Sequence, residues 1–371
     1  MVIIIWRLII NMKILMLAWR DMKHPQKGGA EVVTDIYLSG LAKKGHDVVL
    51  FSSRFDNSKS EEKYNGYKIV RQGGKLSVYY KGLKYAKQNQ DKFDIIIDQV
   101  NTIPFFTPLL IKKEKRIAFF NQLCKNVWFY ETSFLVALAG YILETIYLKL
   151  YMDDKFLTIS ESTKNDLVKY CWAYKKNIFI SEMQIDFKPI NKPIKKENSF
   201  VFCGRLKNSK RVHDCIKALN FMKNKKSKIY IIGDGDEKYK KYLDKLINKL
   251  NLIDRVIFTG HISRDERNKI MAKCLAIIVT SLREGWGLIV TEANANGTLA
   301  ITYNVHGLRD ANKTGFITQE NNPMEIAKYM DELMSNNKIL IDKSIDSIAF
   351  AKTHCNWNKQ VEELEKWFLK R

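Results

Sequence analysis

The sequence predicts an α/β protein built from two doubly wound, Rossmann-like domains that face a central cleft. Three observations predict it. Short apolar runs alternate with helical patterns along the chain, the mark of parallel α/β architecture. The alternation falls into two series, separated by the polar, proline-bearing stretch KPINKPIKKEN at 188–198. The loops richest in chemistry follow directly on apolar runs, where open parallel sheets hold their ligands. A chain of 371 residues is long enough for two such cores.

In the first series, strands are expected at Lys13–Ala18, Asp47–Ser52, Lys68–Arg71, Ile95–Ile97, Arg116–Phe120 and Phe156–Ser160. A helix over Ala30–Lys44 carries Val32, Ile36, Leu38 and Leu41 as its apolar face. In the second series, strands are expected at Ser199–Cys203, Lys228–Ile232, Val256–Thr259, Ala276–Thr280 and Ala300–Tyr303, with helices such as Val212–Met222 and Glu237–Leu250 between them. These readings divide the chain into a first domain over 12–190, a second over 191–355 and a last helix over 356–371. That helix has Val361, Leu364 and Phe368 at helical spacing.

Two apolar stretches raise the question of a membrane. Residues 1–11 are too short to span one and contain Arg7, and Met12 is an alternative start. Phe134–Tyr151 is long enough, but Glu144 and Lys149 disfavour a span, so a buried or interface-lying helix is expected. The six cysteines form no CxxC pair and the six histidines no ligand spacing, which argues against a zinc site and fits a reducing compartment. The net charge is +22, spread evenly: 29 Lys/Arg against 19 Asp/Glu over 1–190, and 33 against 21 over 191–371. A nucleic-acid binder concentrates its charge in a stripe, so that class is disfavoured. A composition rich in Lys, or attraction to anionic lipids or phosphate-bearing substrates, both fit.

The most specific string is EGWGLIVTEANANGT at 284–298, just past the apolar run CLAIIVT. Gly285 and Gly287 allow close backbone approach, and a helix starting there aims free N–H groups at an anion. If most of Glu284–Glu292 is helical, the two carboxylates stand roughly 12 Å apart, enough to hold a sugar and a ribose with a diphosphate between. The string GRLKNSK at 204–210 also follows a strand. Its Arg205 and Lys210 can neutralise a departing diphosphate without a metal. Gly28 and Gly29 open the first helix, a device shared by phosphate loops and ordinary tight turns. Asp234–Gly235–Asp236 has a metal-binding spacing but reads as a turn, and Ser160 reads as a helix cap rather than a nucleophile.

Together with SEST at 160–163, IIGDGDE at 231–237, FTGHIS at 258–263, NVHGLRD at 304–310 and KTGFI at 313–317, these strings resemble glycosyltransferase family 4, the retaining enzymes of the GT-B fold. The spacing Glu284–x7–Glu292 is that family's hallmark. The resemblance implies that Glu284 contacts the donor sugar and Glu292 the ribose, with Arg205 and Lys210 on the diphosphate. Gly29 would lie near the diphosphate across the cleft, and the backbone at His261–Ile262 would meet the base. Gly28, Gly285, Trp286, Gly287 and Leu288 complete the expected binding set. Relatives commonly carry histidine where this chain has Asn121, which can hydrogen-bond a substrate but carries no proton. The chain also has Leu299 in place of a usual proline, and a short loop between Asp310 and Lys313.

The resemblance implies a retaining, hexosyltransferase-type enzyme that uses a UDP- or GDP-sugar and needs neither metal nor other cofactor. A glycan or lipid-linked acceptor is expected, with an anionic membrane surface as a further partner. The expected location is cytoplasmic, peripheral on the inner face of the cell membrane. Open alternatives are a nucleotide-sugar epimerase, a phosphorolytic enzyme, and a non-catalytic glycan- or membrane-binding member.

Overall fold

The computed structural model describes residues 11–370. The apolar run at 1–11 lies outside them, apart from Asn11. The first sheet contains β1 (Lys13–Leu17), β2 (Asp47–Ser52), β3 (Glu61–Tyr64), β4 (Tyr67–Arg71), β5 (Ile95–Val100), β6 (Arg116–Phe120), β7 (Lys155–Thr158) and β8 (Ile178–Ile180). Their order is β3-β4-β2-β1-β5-β6-β7-β8, with only β3 antiparallel to its neighbour. The second sheet contains β9 (Ser199–Cys203), β10 (Lys228–Ile232), β11 (Val256–Gly260), β12 (Ala276–Val279), β13 (Leu299–Tyr303) and β14 (Phe316–Thr318). Its order is β11-β10-β9-β12-β13-β14, parallel throughout.

The central strands are continuous apolar runs because helices cover both faces of each sheet. Ile14–Leu17 and Ala276–Val279 are buried along their length. In each sheet the strand order reverses once, between β1 and β5 and between β9 and β12. Loops leaving such neighbours diverge and open a crevice at the strands' carboxyl ends. Trp19, Asn101, Gly204 and Ser281, each just past one of these four strands, line a single cleft between the sheets.

The expected strands occur within one to three residues of their observed ends. β3, β8 and β14 were not expected, because strands of three or four residues at a sheet edge carry too little periodicity to read. One face needs correction. The first helix spans Gly29–Lys43 and buries Val33, Tyr37, Leu38 and Leu41 against the sheet, whereas Val32 and Ile36 border the cleft. Of the apolar face read from the sequence, Leu38 and Leu41 are buried as expected, while Val33 and Tyr37 take the inner positions expected of Val32 and Ile36.

The segment between β8 and β9 is without helix or strand, yet it is firmly held. Lys196 is half-buried and donates to the carbonyls of Ala272 and Gly297 and to Thr298 Oγ1 at 2.7–2.9 Å. Burial without a carboxylate partner pulls its pKa down to about 8. The chain recrosses beside this segment: Ile185 N–H donates to His354 O (2.8 Å), and Asn356 N–H to Gln184 Oε1 (3.1 Å). The last helix, Trp357–Leu369, then packs Val361 against Gly40, stacks Trp367 on Phe179, and joins Glu365 to Lys44 and His46 at 2.9 Å. All six cysteines are free. Among the described residues no helix is long and apolar enough to cross a membrane.

Candidate active site

The cleft has a volume of about 640 Å3 and draws on both sheets. On the first-sheet side, the loop before the Gly29–Lys43 helix is braced by Arg20. Its Nε donates to Glu31 (3.1 Å) and its Nη1 to Gln26 O (2.5 Å), while Glu31 also accepts from Gly28 N–H. The Arg20 guanidinium covers the Trp19 ring at 4.0 Å. A Cβ on Gly28 would stand 3.0 Å from Arg205 Nη2, whereas one on Gly29 would meet nothing within 4 Å. The two glycines thus do different things: Gly28 makes room for a cation, and Gly29 leaves open cleft.

On the second-sheet side, Arg205 reaches across the cleft to donate to Lys27 O at 3.1 Å. Lys210 lies 2.5 Å from Glu284 Oε1, which also accepts from Ser281 Oγ at 2.7 Å. Thr280 Oγ1, at the end of β12, reaches the carbonyls of Lys210 and Arg211 at 3.0 and 2.9 Å. The two loops that carry Arg205, Lys210 and Glu284 are therefore locked to each other. Arg205, Lys210, Glu284, Gly287, Leu288 and Glu292 all border the same cavity, as do Gly28 and Gly29.

The helix expected from Glu284 onward begins only at Leu288 and ends at Ala295, so the first four residues of the string form a loop. Gly287 turns that loop at φ +97°, a conformation side chains resist, and a Cβ there would strike Leu308 Cδ2 at 2.7 Å. Gly285 serves a different end from anion approach. A Cβ on it would stand 2.3 Å from Asn121 O, so it allows backbone contact between the two walls. Gly285→Ala should therefore wedge the walls apart and lower kcat/KM by about 10²-fold, the cost of an ångström of misplacement. Steady-state kinetics beside small-angle scattering checks this; full activity with unchanged dimensions would remove Gly285 from closure.

Three expected residues have these surroundings in the structure. Trp286 is 3% exposed, donates from Nε1 to Thr291 Oγ1 at 3.0 Å and packs on the His354 ring. It is a core side chain, because burying a large ring with its N–H satisfied outweighs exposing it in the cleft. Ile262 packs its side chain on the second-sheet core, leaving only its backbone to offer a ligand. Asn121 sits at the joint, with its amide on Asn101 Oδ1 (3.1 Å), and it is Asn101 and Thr102 that line the cavity.

Glu292 is 8% exposed and lies 2.9 Å from Arg267 Nη2. Burial pushes its pKa up, and Arg267 opposes the shift. Arg264, one helical turn before Arg267, forks onto Asp186 at 2.8 and 2.7 Å. The sequence reading missed both arginines, although their i, i+3 spacing after FTGHIS places them on one helix face. Trp19, Arg20 and Glu31 were also missed; the signals were the place of Trp19 and Arg20 just past β1 and of Glu31 in the first turn of the helix that follows.

The decoys resolve into structure. Asp234 pairs with Lys240 and accepts from Gly235 N–H; Asp236 caps the Glu237–Lys249 helix through Tyr239 N–H. Ser160 caps the Glu161–Cys171 helix through Thr163 N–H. Among the described residues no three His, Cys, Asp or Glu side chains are grouped to hold a metal.

Two Rossmann-type sheets enclosing a cationic cleft, with paired glutamates on the second, make up the architecture of the GT-B class. Comparison with known proteins agrees. Residues 183–346 match the family described as glycosyl transferases group 1. An uncharacterized glycosyltransferase of Methanocaldococcus jannaschii is 23% identical over 363 residues, covering 88% of this chain and 90% of the relative. Among solved structures, sucrose-phosphate synthase from Thermosynechococcus elongatus superposes with a TM-score of 0.77 at 15% identity, covering 97% of this chain and 99% of that one. HepE of Anabaena, in complex with UDP and glucose, gives 0.73 at 15% identity, covering 97% and 100%. The second half of the chain thus resembles the group 1 glycosyltransferases, and the whole chain has the GT-B fold of these solved structures.

Proposed function

We propose that the protein moves a sugar from a nucleoside diphosphate to a glycan or lipid-linked acceptor, with retention, through front-face departure of the diphosphate. The observation that carries this is the convergence of Arg205, Lys210 and Glu284 on one cavity, opposite the open backbone at Gly29. Arg205 and Lys210 supply fixed positive charge where the leaving group gains negative charge, the largest kind of catalytic contribution. In this structure Lys210 and Glu284 satisfy each other. The donor exchanges that pair for two better matches, diphosphate on Lys210 and sugar hydroxyls on Glu284. The helix N-terminus at Leu288 presents backbone N–H groups to the same anion. Glu292 would hold the ribose, and the backbone at Ile262 would border the base.

Front-face chemistry is favoured by where the carboxylates lie. Glu31 is engaged with Arg20 and Gly28, and Glu292 with Arg267, so neither is free as a nucleophile. Asn121 orients, since its amide carries no exchangeable charge. The HepE complex makes UDP-sugars the first donors to test. A mass-spectrometric screen of UDP- and GDP-sugars for hydrolysis and transfer, with product anomers read by NMR, tests the reading; an inverted product would overturn it. Activity is further expected to survive EDTA, because Arg205 and Lys210 supply the charge a metal otherwise would. Loss on chelation with rescue by manganese or magnesium would count against that assignment.

A further inference from the structure

The helix Phe134–Leu150 is turned inside out. Its one carboxylate, Glu144, is buried and accepts from the backbone N–H groups of Cys124 and Lys125 at 2.7 Å and from Trp128 Nε1 at 3.3 Å. Its apolar side chains point outward instead: Leu135 is 77% exposed, Phe134 70% and Leu143 61%, with Ile142, Ile146 and Leu150 continuing the ridge. An apolar ridge of this size marks an interaction surface. The helix is only about 25 Å long and touches the rest of the domain along one side, so it lies on a surface rather than through one.

The ridge adjoins the cleft. Tyr147 OH donates to Thr102 O at 2.6 Å, and Thr102 lines the cavity. Glu131, in the short helix packed on Gly140, holds Ser209 N–H and Lys207 of the Arg205–Lys210 loop. Exposed Trp172 and Tyr174 extend the ridge, with Lys149 over the Trp172 ring at 4.4 Å, and Lys169, Lys175 and Lys176 are close in sequence. Lys125 is 3% exposed and lies under the Tyr170 ring, so it adds no charge to the ridge.

We propose that this ridge seats the first domain flat in an anionic lipid monolayer, beside the acceptor side of the cleft. Charge decides the occupant. Aliphatic side chains framed by aromatic rings and lysines match the boundary between acyl chains and anionic headgroups. A second copy would bring the same lysines face to face, on chains that each carry +22. The consequence for the acceptor, that it is reached at a lipid surface, rests on the sugar-transfer reading of the cleft; the docking itself does not, and the two are measured separately.

The test is co-sedimentation of the full chain with phosphatidylglycerol vesicles and with phosphatidylcholine vesicles, at low and high salt. Binding is expected to the anionic vesicles alone, weakening with salt. Leu135→Asp with Ile146→Asp should weaken it at least about tenfold, and Lys149→Glu about fivefold or more. Both variants alter exposed residues, and donor hydrolysis without vesicles should stay unchanged in both. Folded protein that ignores anionic vesicles at low salt overturns the proposal. So does a dimer, seen by light scattering, that Leu135→Asp dissolves while vesicles remain unbound. Vesicle binding without hydrolysis of any nucleotide sugar would sustain the docking and sink the transfer reading.

Discussion

Arg205→Ala is expected to lower kcat by about 10²–10³-fold, the cost of removing one preorganised donor from a developing negative charge. Arg205 is exposed and donates to Lys27 O across the cleft, so the fold should survive its loss. Arg205→Lys keeps the charge but loses the fork that grips two phosphate oxygens at once, so it should recover only part of the rate. Lys210→Ala should cost a similar factor and also leave Glu284 with only Ser281 Oγ as partner. Its effect should therefore extend to donor KM. Rates at saturating donor, with thermal unfolding as a control for folding, separate these outcomes. An unchanged kcat for Arg205→Ala would remove it from the leaving-group site.

Much of this cleft was legible because parallel sheets place chemistry by rule. Arg205 and Glu284 are 79 positions apart in number, yet each follows a strand beside the β9–β12 reversal, so the topology brings them together. What the strings could not show is which way a side chain turns within them. Trp286 lies between Gly285 and Gly287 and still packs on His354, because packing decides rotamers and motif spacing does not. The same limit governed the first helix, where Val33 rather than Val32 faces the sheet. It governed the Phe134–Leu150 helix more severely. A polar residue amid apolar ones ordinarily marks the solvent side, but Glu144 finds three donors inside and the apolar side is left out. Pairings between distant elements, such as Arg267 with Glu292, have no local trace at all.

That last pair sets the second large expectation. Glu292→Ala should weaken nucleotide-sugar binding about 10- to 150-fold, equivalent to losing hydrogen bonds to a charged group worth roughly 1.5–3 kcal/mol. The carboxylate is buried at the rim of the cavity, so a ribose hydroxyl that reaches it does so away from competing water. Arg267 complicates the measurement, since removing Glu292 also strands a largely buried guanidinium, and breaking such a pair destabilises the protein itself. The double variant Glu292→Ala/Arg267→Met separates the two effects. Removing the stranded charge should restore much of the lost Tm, whereas affinity for the donor should stay low, because the ribose contact is still missing. Calorimetry with the donor and with its free nucleoside diphosphate, beside thermal unfolding of both variants, reads the two quantities independently. If affinity returned together with Tm in the double variant, Glu292 would be a structural partner of Arg267 and the ribose would be held elsewhere.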